Sequence, residues 1–237
     1  MQLTTGRFPA TAGHGDEMSA VGEQLAVMSL GMSCQTAEQI RRAAPLLREI
    51  TGDPTIGPAS LPFDWLIGPL SSISAMMENG TFFPERTEIE MRPRPYWMDT
   101  VFFHAFTSDH GKSYDVDRLY PAARQRSDHV IRTFQRLRNI PRIIAIVSNT
   151  QNNLTPVAAE PRSFSRTIAS DAVAALKTAA EAYLGKAIEI IVVTHAGFYE
   201  TGVAKYARIF EIEPDRSEWA GSSEEWGRVL RAYFTRE

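Results

Sequence analysis

The sequence predicts an α/β protein, a three-layer sandwich with a mostly parallel central sheet and helices on both faces. Three observations predict it. The solid apolar runs near residues 25–30, 143–147 and 188–193 have strand length without polar alternation, as strands covered on both faces do. Stretches with apolar residues at three- and four-residue spacing lie between them. Strands and helices alternate along the chain, which favours parallel pairing through helical crossovers. A papain-like α+β arrangement is the alternative.

Residues 24–30 form the first expected strand, with Leu25, Ala26, Val27, Met28 and Leu30 ahead of Gly31. From 35 to 50, Ala37, Ile40, Ala43, Ala44, Leu47 and Ile50 make one face of an amphipathic helix, which Pro45 kinks or divides. A Gly- and Pro-rich loop over 51–62 delivers Leu61-Pro62-Phe63-Asp64-Trp65-Leu66, where one carboxylate sits between two large aromatics. Pro69 suits the first turn of a short helix through Asn79, stopped by Gly80. Prolines and charges over 81–95 predict an irregular excursion with room for one edge strand. The β-branched and aromatic run 101–106 predicts a second strand.

Residues 109–117 are polar and predict a surface loop. A helix with an arginine-rich outer face follows Pro121 and ends near Pro141. Residues 142–148 predict a central strand, and Asn149-Thr150 opens a polar loop. The most periodic helix spans 165–184, with Gly185 where a C-terminal cap belongs. A strand over 188–194, a weaker one over 206–212 and a helix over 223–234 complete the chain. Ser222 or Ser223 ahead of Glu225 caps that last helix.

At 237 residues, with 43% hydrophobic and 22% charged residues, the chain can bury one substantial core. A single domain is expected over 21–237, behind a flexible tail over 1–20 that lacks the apolar centre of a secretory signal. A net charge of −3 argues against nucleic acid as a partner, since phosphate binding needs clustered excess Lys and Arg. No stretch reaches the roughly 20 apolar residues of a membrane span. One cysteine cannot form an internal disulfide, which fits a reducing, cytoplasmic setting. Nothing in the sequence sets the oligomeric state.

In open parallel sheets, ligands bind beyond the carboxyl ends of the strands. That rule singles out Ser33 and Cys34 after the first strand, His104 in the second, Ser148 and Asn149 after the third, and Thr194 and His195 after the fourth. Cys34 is expected at a helix N-terminus, where unpaired N–H groups favour a thiolate and are placed to hold an oxyanion. A small hydrophobic packing role is the alternative for a lone cysteine.

The segment Ser29-Leu30-Gly31-Met32-Ser33-Cys34-Gln35, followed after a helix by Pro62-Phe63-Asp64-Trp65, resembles the papain-like cysteine peptidase family, a bacterial domain family of largely unknown function. Phe103-His104-Ala105-Phe106 is similar to its His-Asp-Phe strand, with Ala105 where that family often has Asp. The arginine-rich helix before Ile143-Ile144-Ala145-Ile146 is similar to its next helix–strand pair, and a weaker likeness surrounds Trp219 and Trp226. The resemblance implies a Cys-His hydrolase with Cys34 as nucleophile and His104 as general base.

Among further candidates, Asp64 or Asn149 orients the imidazole, and His195 competes with His104 as base. Ser33, Gln35, Trp65 and His195 are the expected binding residues. Arg124, Arg126, Arg132, Arg136, Arg138 and Arg142 read as the solvated face of a helix rather than a phosphate site. There is no metal-ligand spacing, phosphate loop or dinucleotide fingerprint, so no metal or cofactor is expected. The expected function is a cysteine-dependent hydrolase or acyltransferase acting on an amide, ester or thioester of a small molecule or peptide. The alternative is a non-catalytic module that binds a small ligand or sugar around Asp64 and Trp65, with a structural cysteine.

Overall fold

The apolar run from Ile143 to Val147 fills the middle of a parallel sheet in the computed structural model, which describes residues 24–56, 60–108, 112–152 and 164–235. The tail expected over 1–20 lies outside the described residues. In order the chain forms β1 (Leu25–Ser29), α1 (Cys34–Arg42), α2 (Ala44–Thr51), β2 (Leu66–Ile67), α3 (Leu70–Asn79), β3 (Glu90–Met91), β4 (Pro95–Trp97) and β5 (Thr100–Phe102). Then come α4 (Val116–Arg136), β6 (Arg142–Ser148), α5 (Ser170–Leu184), β7 (Glu189–Thr194), β8 (Arg208–Glu211) and α6 (Ser223–Phe234).

The parallel sheet has the order β1-β6-β7-β8. Its register sets Ala26 beside Ile143, Ala145 beside Ile190 and Val192 beside Ile209. Side chains of successive strand residues point to opposite faces. Ile143, Ala145 and Val147 accordingly join one core with α3, α4 and α5, through Met76, Phe134 and Leu176. Ile144 and Ile146 join a second core with α1, α2 and α6, through Ile40, Leu47, Trp226 and Leu230. Burial on both faces is why β6 tolerates no polar alternation; each of its isoleucine and valine side chains contributes roughly 1.5–3 kcal/mol when removed from water.

The α/β class and its parallel sheet are as expected, and a second, antiparallel sheet in the order β2-β5-β4-β3, which was not expected, accompanies them. Its centre is a hairpin in which Trp97 pairs with Thr100 across Met98 and Asp99, both at positive φ (47° and 56°). Two residues can join only antiparallel strands, and that conformation suits a tight hairpin. Neither turn residue is glycine, so the sequence carries no hairpin signal there.

The strand expected over 101–106 is likewise shorter. β5 stops at Phe102, and residues 103–106 turn so that Phe102 and Phe106 meet edge-on with ring centroids 5.5 Å apart. Both aromatics enter the core, 3% and 0% exposed, without a strand between them. His104 therefore lies in a turn beyond the antiparallel sheet, and β8 takes the fourth place in the parallel one.

The bounds of other elements differ by a few residues. Pro45 divides the expected helix 35–50 at Ala43, and α2 starts anew with the proline in its first turn. α4 begins ahead of Pro121, capped by Asp115, whose side chain accepts from the Arg118 N–H at 3.0 Å. α5 begins at Ser170 instead of 165 and ends at Gly185. Ser222 caps α6, accepting from the Glu225 N–H at 3.2 Å. No helix among the described residues is long and apolar enough to cross a membrane.

Candidate active site at the carboxyl edge of the parallel sheet

β1 continues for one bond past its end, where the Leu30 N–H donates to the Ile146 carbonyl at 2.9 Å. Gly31 (φ 87°) and Met32 (φ 62°) then turn the chain into α1. A Cβ on residue 31 would lie 2.8 Å from Ile73 Cγ1, so both the dihedral and the space demand glycine. Met32 has no such freedom; burial and a bond from the Gly68 N–H to its carbonyl at 3.4 Å hold it. A left-handed non-glycine residue costs about 1–3 kcal/mol and is enriched at functional sites.

Ser33 is the extended N-cap of α1, and Cys34 is the first residue of that helix. The placement expected from the sequence is met, but the electrostatic consequence is not. Cys34 is 6% exposed, and burial pushes its thiol up to about 11, against the lowering effect of its own backbone N–H. The charges of Glu38 and Asp64 raise it further. Desolvation outweighs the helix terminus, so the resting group at neutral pH is a thiol. Its hydrogen-bond partner among the described residues is Gln151, whose Oε1 accepts from Sγ at 3.7 Å.

Neither histidine is hydrogen-bonded to that thiol. The His104 ring meets the Trp65 ring edge-on at 5.4 Å and lines a cleft beside α4. His195 follows β7, is 7% exposed, and its Nδ1–H donates to the Ile212 carbonyl at 2.8 Å. A carbonyl only accepts, so the lone pair of the neutral ring is on Nε2. This residue lines a separate open cleft with Asn152, Arg216 and Trp219.

Asp64 is 2% exposed, and one of its oxygens accepts from the Leu61 N–H at 2.9 Å. Burial pushes its carboxyl up to about 7, against the Leu61 N–H and the Arg41 charge. It is the charged group that couples to Cys34 from outside α1. Trp65 stands at the surface, with the Arg41 guanidinium 5.2 Å from its ring. Asn149 donates from Nδ2 to the Arg166 and Phe198 carbonyls, at 2.5 and 3.0 Å, and so braces two loops instead of an imidazole.

A buried polar network that the motifs did not reveal surrounds Cys34. Gln35 donates to the Ala220 carbonyl at 2.9 Å and accepts from Thr150 Oγ1 at 2.9 Å. Gln39 donates to the Ala220 and Gly221 carbonyls at 2.7 and 3.1 Å, and the Ser148 and Thr150 hydroxyls share a bond of 2.9 Å. Gln35 and Gln39 sit one helical turn apart on the buried side of α1, a spacing visible in the sequence. The hydroxyls of Ser29, Ser33 and Thr36 are buried without a partner among the described residues. Each such orphan costs about 1–3 kcal/mol. No three His, Cys, Asp or Glu side chains gather as a metal ion requires among the described residues.

Compared with family models, with curated proteins and with solved structures, the chain matches none.

Proposed function

We propose that the chain is a cysteine-dependent hydrolase or acyltransferase acting on an amide, ester or thioester of a small molecule or peptide. The observation that carries the reading is the position of Cys34. It opens α1 directly beyond a strand of the parallel sheet, after a turn held at two positive φ angles, with the near-neutral Asp64 carboxyl electrostatically coupled to it. The likeness of residues 29–35 and 62–65 to the papain-like family supports the same nucleophile. The layered arrangement of helices around the sheet and a reducing, cytoplasmic setting belong to the same proposal.

In the proposed reaction Cys34 Sγ bonds to the acyl carbon as the thiol proton passes to Asp64. The leaving group departs with that proton, and water or an acceptor then cleaves the thioester. Substrate entry displaces Gln151 from the thiol. Asp64 takes the base role that the resemblance implies for His104, because its charge reaches the thiol whereas His104 packs on Trp65.

One observation favours a second reading. A thiol held at about 11 and bonded to an amide oxygen suits a structural cysteine in a non-catalytic site whose orphaned hydroxyls recognise a polar ligand. Incubation with p-nitrophenyl acetate followed by intact-mass analysis separates the two. The hydrolase reading expects an acetyl adduct that maps to Cys34, vanishes in Cys34→Ala and forms more slowly in Asp64→Asn. Acetylation confined to other residues would discard it in favour of the binding module.

A further inference from the structure

The arginines along α4 and into β6 are used unequally. Arg124 pairs with Glu85 and Asp128, and Arg142 with Glu189. Arg138 donates to the Tyr183 carbonyl and lies over that ring. Arg126 pairs with no carboxylate among the described residues. Its guanidinium donates to the Ala105 carbonyl at 3.3 Å, at the mouth of a cleft of about 890 Å³.

That cleft lies between α4 and the turns at 60–66 and 102–105. Leu61, Leu66, Phe82, Phe102 and Val130 give it an apolar floor, while among the described residues its charged or titratable lining consists of Arg126, His104 and His129, with no Asp or Glu. His129 stands one helical turn from Arg126, so both reach the same mouth. The volume falls within the range of small-molecule sites.

We propose that this cleft binds a small amphipathic anion, an apolar chain ending in one carboxylate, with Arg126 taking the carboxylate. A neutral chain leaves the guanidinium without a counter-ion, and a small polar anion leaves the aromatic floor wet. The planar fork of arginine matches a carboxylate in two parallel hydrogen bonds. The assignment is independent of the chemistry at Cys34, which does not line the cleft.

Isothermal titration of the full chain with octanoate, 1-octanol and acetate tests it. Octanoate is expected to bind one to one and at least tenfold more tightly than octanol or acetate. Arg126→Gln lowers the octanoate affinity about tenfold and leaves octanol unchanged. Val130→Trp, which fills the cleft, weakens both; Thr133→Trp at the mouth serves if circular dichroism shows that variant unfolded. The absence of saturable octanoate binding, equal affinity for octanoate and octanol, or an Arg126→Gln variant that binds octanoate like the wild type would each overturn the proposal.

Discussion

The thiol of Cys34 donates to Oε1 of Gln151 across 3.7 Å, tying the first residue of α1 to the loop after β6. Both residues are buried, at 6% and 3% exposure, so the contact lies away from bulk water. Gln151→Ala should open the site and let the thiol fall from about 11 towards its ordinary 9.0. Iodoacetamide alkylation of Cys34 at pH 8 should then accelerate on the order of tenfold, since each pKa unit changes the thiolate fraction about tenfold. An unchanged rate would show that some other contact shields the sulfur.

Asp64 makes stability depend on pH in an uncommon direction for a carboxylate. Burial raises its folded pKa from 3.8 to about 7, so between those values the folded state holds a proton that the unfolded chain releases. Its contribution is fully present below the lower value and is lost as pH rises through about 7. The loss is on the order of a few kcal/mol. Asp64→Asn keeps an acceptor for the Leu61 N–H but cannot ionise. Its urea midpoint should exceed that of the wild type at pH 8 by more than at pH 4.5. The other carboxylates titrate in both proteins and cancel in the difference; a gap independent of pH would refute the assignment.

Gly31→Ala meets two penalties at once, the φ of 87° and the 2.8 Å approach to Ile73 Cγ1. The variant should lose about 1–3 kcal/mol in urea unfolding. Its α1 should be displaced, visible as faster alkylation of Cys34. A variant as stable as the wild type would mean that the turn relaxes at little cost.

Gln35 and Gln39 both donate to the buried Ala220 carbonyl. Either alone keeps that oxygen satisfied, so Gln35→Ala and Gln39→Ala should each cost about 1–2 kcal/mol. The double variant should lose more than the sum by about 0.5 kcal/mol or more, because the carbonyl is then orphaned. Strict additivity in a double-mutant cycle would show that the two amides act independently.

The centre of the parallel sheet was legible because β6 and β7 are buried on both faces, and double burial leaves a solid apolar run that no surface element shares. The placement of Cys34 followed from the same pattern, with Gly31 marking where β1 must turn. The antiparallel sheet was not legible. Its strands are two or three residues long, and the Met98–Asp99 turn uses left-handed residues that carry no compositional signal. His104 was misplaced for a related reason: Phe102 and Phe106 reach the core through a turn, and an aromatic run looks the same whether it is extended or folded back.

By itself the sequence determined the strand–helix alternation, a helix cap at Ser222 or Ser223 and another at Gly185, and the lone thiol at the start of α1, all of which are local or periodic properties. Tertiary structure decided what surrounds that thiol. Gln151 lies 117 positions away in the chain, Ala220 meets Gln35 across 185, and the burial that raises Cys34 and Asp64 arises only when distant segments exclude water together. A pKa depends on solvation and neighbouring charge in space, neither of which spacing along a chain encodes.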